Sequence, residues 1–386
     1  MPRDERARLR GLPRPPRPRG RRIHRVVIAY TGFACGLLFA GMVVTGWLEP
    51  VDLTVYDHLF TLRGPRPVAS PIIIAAIDPE SIRVLGPWPF PRAMHGTAVD
   101  ALTRARARVV AFDVAFPEPS SRGADDDEAL GAAIARAGNV VLATFSYVDA
   151  QPFYTRRGVA LPIGSIRYGA AAIGSVTGEA VGRRAEITDT TVATTHGSGM
   201  PGFAVEVSRL AVGKTTAQRR LEGGDFLINF RGPPGAFRRV PYHRLVRGET
   251  PAHELAGVIV LIGVIDPAVP DFFQTPFARD GKMSGVEIHA NAVETLLRGN
   301  AIREIPVAAS AAVTVVAGIC VGALVAWWPG RAAEAALLLL LLTAAGTNAA
   351  FAWGDVWFRP SGAVLALAVG LVLAIVARGD RPPADA

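Results

Sequence analysis

"PIIIAAIDPESIRVLGPWPFPR", Pro71 to Arg92, decides how the rest of the chain is read. Ile72 to Ile77 is apolar without interruption, rich in β-branched residues, and bounded by Pro71 on one side and Asp78-Pro79 on the other. A short run of this kind predicts a strand buried on both faces, which requires a sheet with helices on either side. The exit from the strand is unusual. In Gly86-Pro87-Trp88-Pro89-Phe90-Pro91, the prolines fix φ and remove backbone donors, so the loop holds one shape without regular structure. Such a loop can present Trp88 and Arg92 at a fixed place, or it can act as a stiff lid that packs Trp88 into the core.

Outward from this stretch, apolar runs alternate with amphipathic ones. "PRAMHGTAVDALTRARA" reads as a helix, "RVVAFDVAF" as a strand, "DDDEALGAAIARAG" as a helix and "NVVLATFSYV" as a strand. Further on, "GFAVEVSRLAV" reads as a helix, "DFLINF" and "GVIVLIGV" as strands, and "GVEIHANAVETLLRG" as a helix. Strands separated by helices predict a mostly parallel sheet covered on both faces. Ligands of such sheets bind beyond the carboxyl ends of the strands. Asp78 ends the first strand, Asp113 lies late in the second and Gly263 ends a later one, which places two carboxylates near one crevice.

Each candidate residue also has a plain structural reading. Asp78 and Asp113 can contact a ligand, or cap the turns that follow their strands; no nucleophile accompanies them, so no catalytic residue is assigned. Arg92 can hold an anion through its planar fork, or form a structural salt bridge with a carboxylate. The run Asp125-Asp126-Asp127-Glu128 suits the first turn of a helix, where exposed N–H groups favour negative charge. It lacks the spacing of a calcium loop. His289 has no His-Glu-x-x-His context, so it reads as a hydrogen-bonded histidine near the crevice and not as a metal ligand. Glu287, Asn291 and Glu294 share another face of the same helix. Asp271 in "DFFQTPF" can reach the crevice, and the Arg231–Gly235 turn "RGPPG" can anchor a neighbouring loop. No metal or cofactor is expected.

Composition places this segment outside a membrane. Of 386 residues 50% are hydrophobic and 19% charged. The net charge of +8 belongs to residues 1–25, which hold ten Arg against Asp4 and Glu5. This Pro- and Arg-rich tail cannot bury a core and reads as a disordered cytoplasmic retention signal touching anionic lipid. No aromatic or groove-fitting element accompanies it, so nucleic acid is not an expected partner. The uncharged run at 26–48 is too long for the roughly 7–15-residue core of a signal peptide and predicts an uncleaved anchor. Three more apolar runs, 306–328, 332–353 and 360–377, predict further spans. Trp47, Trp327, Trp328, Trp353 and Trp357 fall where interfacial indoles belong. With Arg331, Arg378 and Arg381 inside, both termini are cytoplasmic, residues 378–386 form a short tail, and residues 49–305 lie outside. Cys35 and Cys320 both sit within spans, so no disulfide staples the outer segment. They lie in "GFACG" and "GICVG", patterns that suit close helix approach or ordinary lipid-facing glycine.

Six blocks in order, "DLTVYDHLFTLRGPRP", "IIIAAIDPESIRVLGPWPFPR", "ARVVAFDVAFPEP", "INFRGPPGAF", "VLIGV…DFFQTPF" and "MSGVEIHANAVETLLRG", closely resemble the type-2 CHASE domain. That family is the extracytoplasmic sensory module of bacterial cyclases, histidine kinases and serine/threonine kinases. The resemblance covers about Asp52 to Gly299 and includes the arrangement of one span before and three after. In the family the last span leads into a cytoplasmic output domain; here it leads to "ARGDRPPADA". The family turn resembling Asp-Gly-Val-Val-Arg is "ITDTTVATTHG" here, which keeps Asp189 and lacks the Gly and Arg.

The expected fold class is therefore α/β: an extracytoplasmic domain with a mostly parallel sheet flanked by helices, plus four transmembrane α-helices in a bacterial inner membrane. The resemblance implies a sensor, not an enzyme. The sensor would bind an unknown small molecule or envelope component through Asp78, Trp88, Arg92, Asp113, Asp271 and His289. It would signal through a separate kinase, cyclase or anti-sigma protein, and a homodimer is compatible with this. The alternative is a structural or assembly protein of the envelope, using the same domain for protein contacts.

Overall fold

The computed structural model describes residues 19–379, apart from 152–153, 178–183, 187, 190–198, 214–224 and 270. Most of the basic tail, Arg381 and nearly all of the turn carrying Asp189 lie outside the described residues. The chain divides into two compact units: Val55–Glu304 with Ala350–Trp357, and the apolar segments on either side.

In the first unit the strands are β1 (Ile72–Ile77), β2 (Val109–Phe112), β3 (Val140–Gln151), β4 (Tyr154–Ala160), β5 (Ala172–Ser175), β6 (Arg238–Pro241) and β7 (Ile259–Val264). They form one sheet in the order β6-β1-β7-β2-β3-β4, with β5 also on β3. Every pairing is parallel except β3 with β4, so the sheet is mostly parallel. Alternation along each strand splits its side chains between two cores. Ile72, Ile74, Val109, Val141 and Leu261 face α4 (Phe203–Val212) and α5 (Gly285–Arg298). Ile73, Ile77, Phe112, Leu142 and Val260 face α2 (Arg92–Arg104) and α3 (Ala124–Ala137). Burial on both sides is why these strands read as continuous apolar runs.

Two expected elements differ. "RVVAFDVAF" stops being a strand at Phe112, so Asp113 stands just beyond its end. "DFLINF" contributes only Asp225–Leu227, paired with Arg184–Glu186 outside the main sheet. Asp78 caps a short helix, α1 (Pro79–Leu85), that directly follows β1.

The segment Ala350–Trp357 is part of this unit's core. Phe351 is fully buried, with its ring 4.9 Å from Phe60 and 5.6 Å from Tyr56 in edge contacts. Trp357 packs edge-on against Tyr56 at 5.2 Å, and Val356–Trp357 pairs in parallel with Arg303–Glu304. Asp355 accepts a 2.8 Å hydrogen bond from Arg66 and lies 3.7 Å from Arg63. Trp357 is 3% exposed, a core residue and not the interfacial indole expected from its position.

Among the described residues, three helices are long and apolar enough to cross a membrane: Arg25–Val44, Val307–Trp327 and Ala332–Gly354, the last ending within the Ala350–Trp357 segment of the first unit. The fourth expected span, 360–377, forms a helix over Ser361–Gly379, but its apolar stretch is only Ser361–Val376. At 1.5 Å per residue that is about 24 Å, short of a hydrocarbon core of about 30 Å. The described residues thus contain three membrane-length helices and one shorter apolar helix. The "GFACG" and "GICVG" glycines meet: a Cβ on Gly32 would lie 2.6 Å from the Gly318 carbonyl oxygen and 2.6 Å from Gly322 Cα. Only glycine permits that backbone approach.

Candidate functional site

A cavity of about 610 Å³ opens at the carboxyl edge of the sheet, beyond β2 and β7. Its walls come from the Trp88–Arg92 loop, from residues 113–122 after β2, and from Val264, Val269 and Asp271 after β7. This is the crevice that parallel topology creates where neighbouring connections diverge. Its volume falls in the range of about 300–1,000 Å³ typical of small-molecule sites.

Trp88, Arg92, Asp113 and Asp271 line it together. Trp88 borders the cavity and also packs edge-on against Phe90 at 5.3 Å. Phe90 in turn stacks on Tyr242, with ring centroids 6.0 Å apart. The Trp88–Pro89 peptide is cis.

Arg92 is held by the protein itself. Its guanidinium bonds the Asp127 carboxylate and the Glu118 carbonyl, and lies 5.5 Å from the centre of the Phe116 ring. Its backbone N–H donates to Asp126 at 2.9 Å, and that of Ala93 donates at 2.8 Å. The acidic run therefore does more than stabilise its own helix. Asp126 also caps α2, and Asp127 neutralises Arg92. Burial pushes the Asp126 carboxyl up, but N–H from Ala93, the Ser120 hydroxyl, N–H from Arg92 and the field of Arg122 together bring it below its ordinary value.

Asp78 is not among the residues lining the cavity; its Oδ1 accepts from Ser81 N at 2.7 Å, capping α1. His289 lies behind the lining, 4% exposed, with Nε2 3.6 Å from Asp113 Oδ1 and its ring 5.0 Å from Phe203. Asp271 abuts the start of α5: a Cβ on Gly285 would meet its carboxylate oxygens at 2.6 and 2.7 Å. Glycine is needed there to admit the side chain. Gly285 and His289 stand four residues apart on α5, a rise of about 6 Å, so Asp271 meets the start of that helix and Asp113 meets a side chain about one turn further on. Among the described residues no three His, Cys, Asp or Glu side chains converge as a metal site.

His95 also borders the cavity and was not singled out in the sequence. It is 1% exposed, its Nδ1 is 2.6 Å from the Tyr242 hydroxyl, and its ring is in edge contact with Phe112 and Phe116. Burial pushes its imidazole down to about 4, a stronger effect than the opposing fields of Asp126, which raises it, and Arg92, which lowers it. The unfolded chain protonates near 6.5 while the folded one resists until about 4. Stability from neutral His95 is therefore complete above pH 6.5 and lost as pH falls to 4, at a cost of about 3 kcal/mol. Unfolding of the full chain followed at pH 7 and pH 4.5 should show this slope, and His95→Phe should flatten it. An unchanged slope in the variant would mean that another group sets the acid limit.

The sequence matches the family model for the CHASE2 domain over residues 34–327. No curated protein and no solved structure shows significant similarity to the chain. That match spans most of the chain, takes in the whole sheet and every wall of the cavity, and agrees with the arrangement of an α/β unit between apolar helices: the chain belongs to the CHASE2 domain family, a family of extracytoplasmic domains of the sensor type.

Proposed function

We propose that this protein is a membrane-anchored receptor whose CHASE2 domain binds a small molecule in the cavity between β2 and β7. The observation that carries this reading is the cavity itself: a space of ligand size at the carboxyl edge of a sensor-type domain, lined by aromatic and acidic residues. The three membrane-length helices anchor the chain, with the α/β unit outside a bacterial inner membrane. Signalling passes to a separate polypeptide of kinase, cyclase or anti-sigma type. A ligand biases such a system only by binding one arrangement of the chain better than another.

The experiment has two arms. Ser121→Cys, at the exposed rim, is expected to react with a membrane-impermeant maleimide in intact spheroplasts; protection until lysis would place the cavity on the wrong side. Deleting the gene is expected to alter the cell's expression profile, which the wild-type chain should restore and Asp113→Asn, produced at equal level, should not. Full restoration by Asp113→Asn would remove the cavity from the signalling role.

A further inference from the structure

One carboxylate away from the cavity is buried with half of its bonding capacity unused. Asp52, in the helix Glu49–Arg63, is 2% exposed. Its Oδ1 accepts from the backbone N–H of Ser361 at 3.1 Å, while its Oδ2, also buried, has no hydrogen-bond partner. Ser361 is 5% exposed, and its hydroxyl is likewise without a partner. Among the described residues Asp52 forms no ion pair; Arg359, whose field reaches it, pairs with Glu49 at 3.9 Å. None of these residues lines the cavity.

Other buried carboxylates of the chain are better supplied. Glu287 accepts from the N–H groups of Gly235 and Ala236 and from the Arg239 guanidinium. Glu294 accepts from two N–H groups and lies beside Arg231. Asp126 accepts from two N–H groups and the Ser120 hydroxyl. An ionised carboxylate held by a single N–H loses more by leaving water than that one bond returns.

The surroundings decide what would relieve it. Ser310 and Thr314, 1% and 0% exposed, are already engaged: Thr314 Oγ1 donates to the Ser310 carbonyl at 2.9 Å, and Ser310 Oγ accepts from the Arg359 N–H at 3.3 Å. Packing beside Ser361 is close, since a Cβ on Gly362 would lie 2.7 Å from both Thr314 Oγ1 and Val43 Cγ2. A metal ion gathers several oxygens around itself. Of these four side chains only Asp52, through Oδ2, and Ser361, through Oγ, have an oxygen to spare. A proton needs just those two.

We infer that Asp52 is a proton-binding site: on acidification Oδ2 takes a proton from solvent and donates it in a hydrogen bond to Ser361 Oγ, while Oδ1 keeps the Ser361 N–H. The paired contacts tie the start of the Ser361–Gly379 helix to the helix Glu49–Arg63, and ionisation removes one of them. This joint responds to acidity with the cavity empty or filled. Electrostatics agree in sign. Burial, the largest influence, pushes the carboxyl up; the Ser361 N–H and hydroxyl and the field of Arg359 pull it down, Glu49 pushes it up, and the net is upward.

The test uses the full chain in lipid nanodiscs. Infrared difference spectra between about pH 8 and about pH 4 should contain a carboxylic-acid C=O band that is missing from Asp52→Asn. Arg359→Gln should move the midpoint of that band to higher pH and Glu49→Gln to lower pH, shifts that a purely structural Asp52 would not produce. Melting curves supply a second readout. The unfolded chain releases this proton near 3.8 and the folded chain at higher pH, so the wild type loses stability as pH rises between the two. Asn accepts from the Ser361 N–H and donates to Ser361 Oγ at any pH. The melting temperature of Asp52→Asn minus that of the wild type should therefore grow by about 3 °C or more from about pH 4 to about pH 8. Taking the difference at each pH removes the His95 slope common to both chains. A band that survives in Asp52→Asn, or a melting difference equal at every pH, overturns the assignment. So does a band that changes when sodium is replaced by choline at fixed pH, which would make the occupant a metal cation. Should Asp52→Asn fail to fold, a wild-type band unmoved in both Arg359→Gln and Glu49→Gln overturns it as well.

Discussion

Phe351→Ala should lower the stability of the CHASE2 unit by about 3–5 kcal/mol, roughly 10 °C or more in Tm. The side chain lies 47 residues beyond Glu304 in sequence, yet it is fully buried among Tyr56, Phe60 and the Arg63 guanidinium, which stands 5.4 Å from its ring centre. Truncation removes the transfer energy of an aromatic ring and leaves a hole between rings that already pack edge to face. The proper comparison is Leu341→Ala, from the same helix but 59% exposed, which should change stability by no more than about 0.5 kcal/mol. Thermal unfolding of both variants in detergent decides the matter. Equal melting temperatures would show that the Ala350–Trp357 segment merely touches the domain.

An effect of similar size is expected at Glu294, which is 0% exposed. Its two oxygens accept from the backbone N–H groups of Ala69 and Ser70, each at 3.1 Å, and one lies 3.6 Å from Arg231 Nε. Burial pushes the Arg231 guanidinium down, and Glu294 is the chief influence holding it up. Glu294→Ala therefore strands two donors and a buried cation, at about 3–5 kcal/mol. Glu294→Gln keeps an acceptor for one N–H and should cost less. Replacing the pair together, Arg231→Met with Glu294→Met, removes the stranded charge and should be milder than Glu294→Ala alone. Urea unfolding of the three variants measures this order. A double variant as damaging as Glu294→Ala, or more so, would mean that the stranded Arg231 charge is not what makes that loss costly.

Much of this architecture was legible in the residues. β1, β2, β3 and β7 announce themselves because a strand covered on both faces has no polar side to blur its pattern. β6 did not, since "RRVP" exposes its two arginines and carries a proline, as an edge strand tolerates. β5 is four residues long and partly exposed, too short for any period to emerge. The carboxylates at the strand ends were visible, and so was the stiff Trp88 loop. The fates of Arg92 and Asp78 were not decided by residue type: one is clamped by Asp127 and the other caps α1. His95 escaped notice because its neutrality is made by rings from distant places, Phe112, Phe116 and Tyr242. Trp353 and Trp357 looked alike as indoles beside apolar runs, yet one is 87% exposed and the other 3%. Only the partners Tyr56 and Arg303–Glu304 distinguish them.

The discontinuous make-up of the folded unit also constrains its synthesis. A ribosome that has just released Glu304 has delivered the whole sheet but not Phe351 or Trp357. The nascent domain must wait, with an aromatic socket unfilled, while two long apolar helices are made. Completion of the interior is thereby tied to a late stretch of chain: until the Ala332–Gly354 helix is made, the α/β unit lacks part of its core.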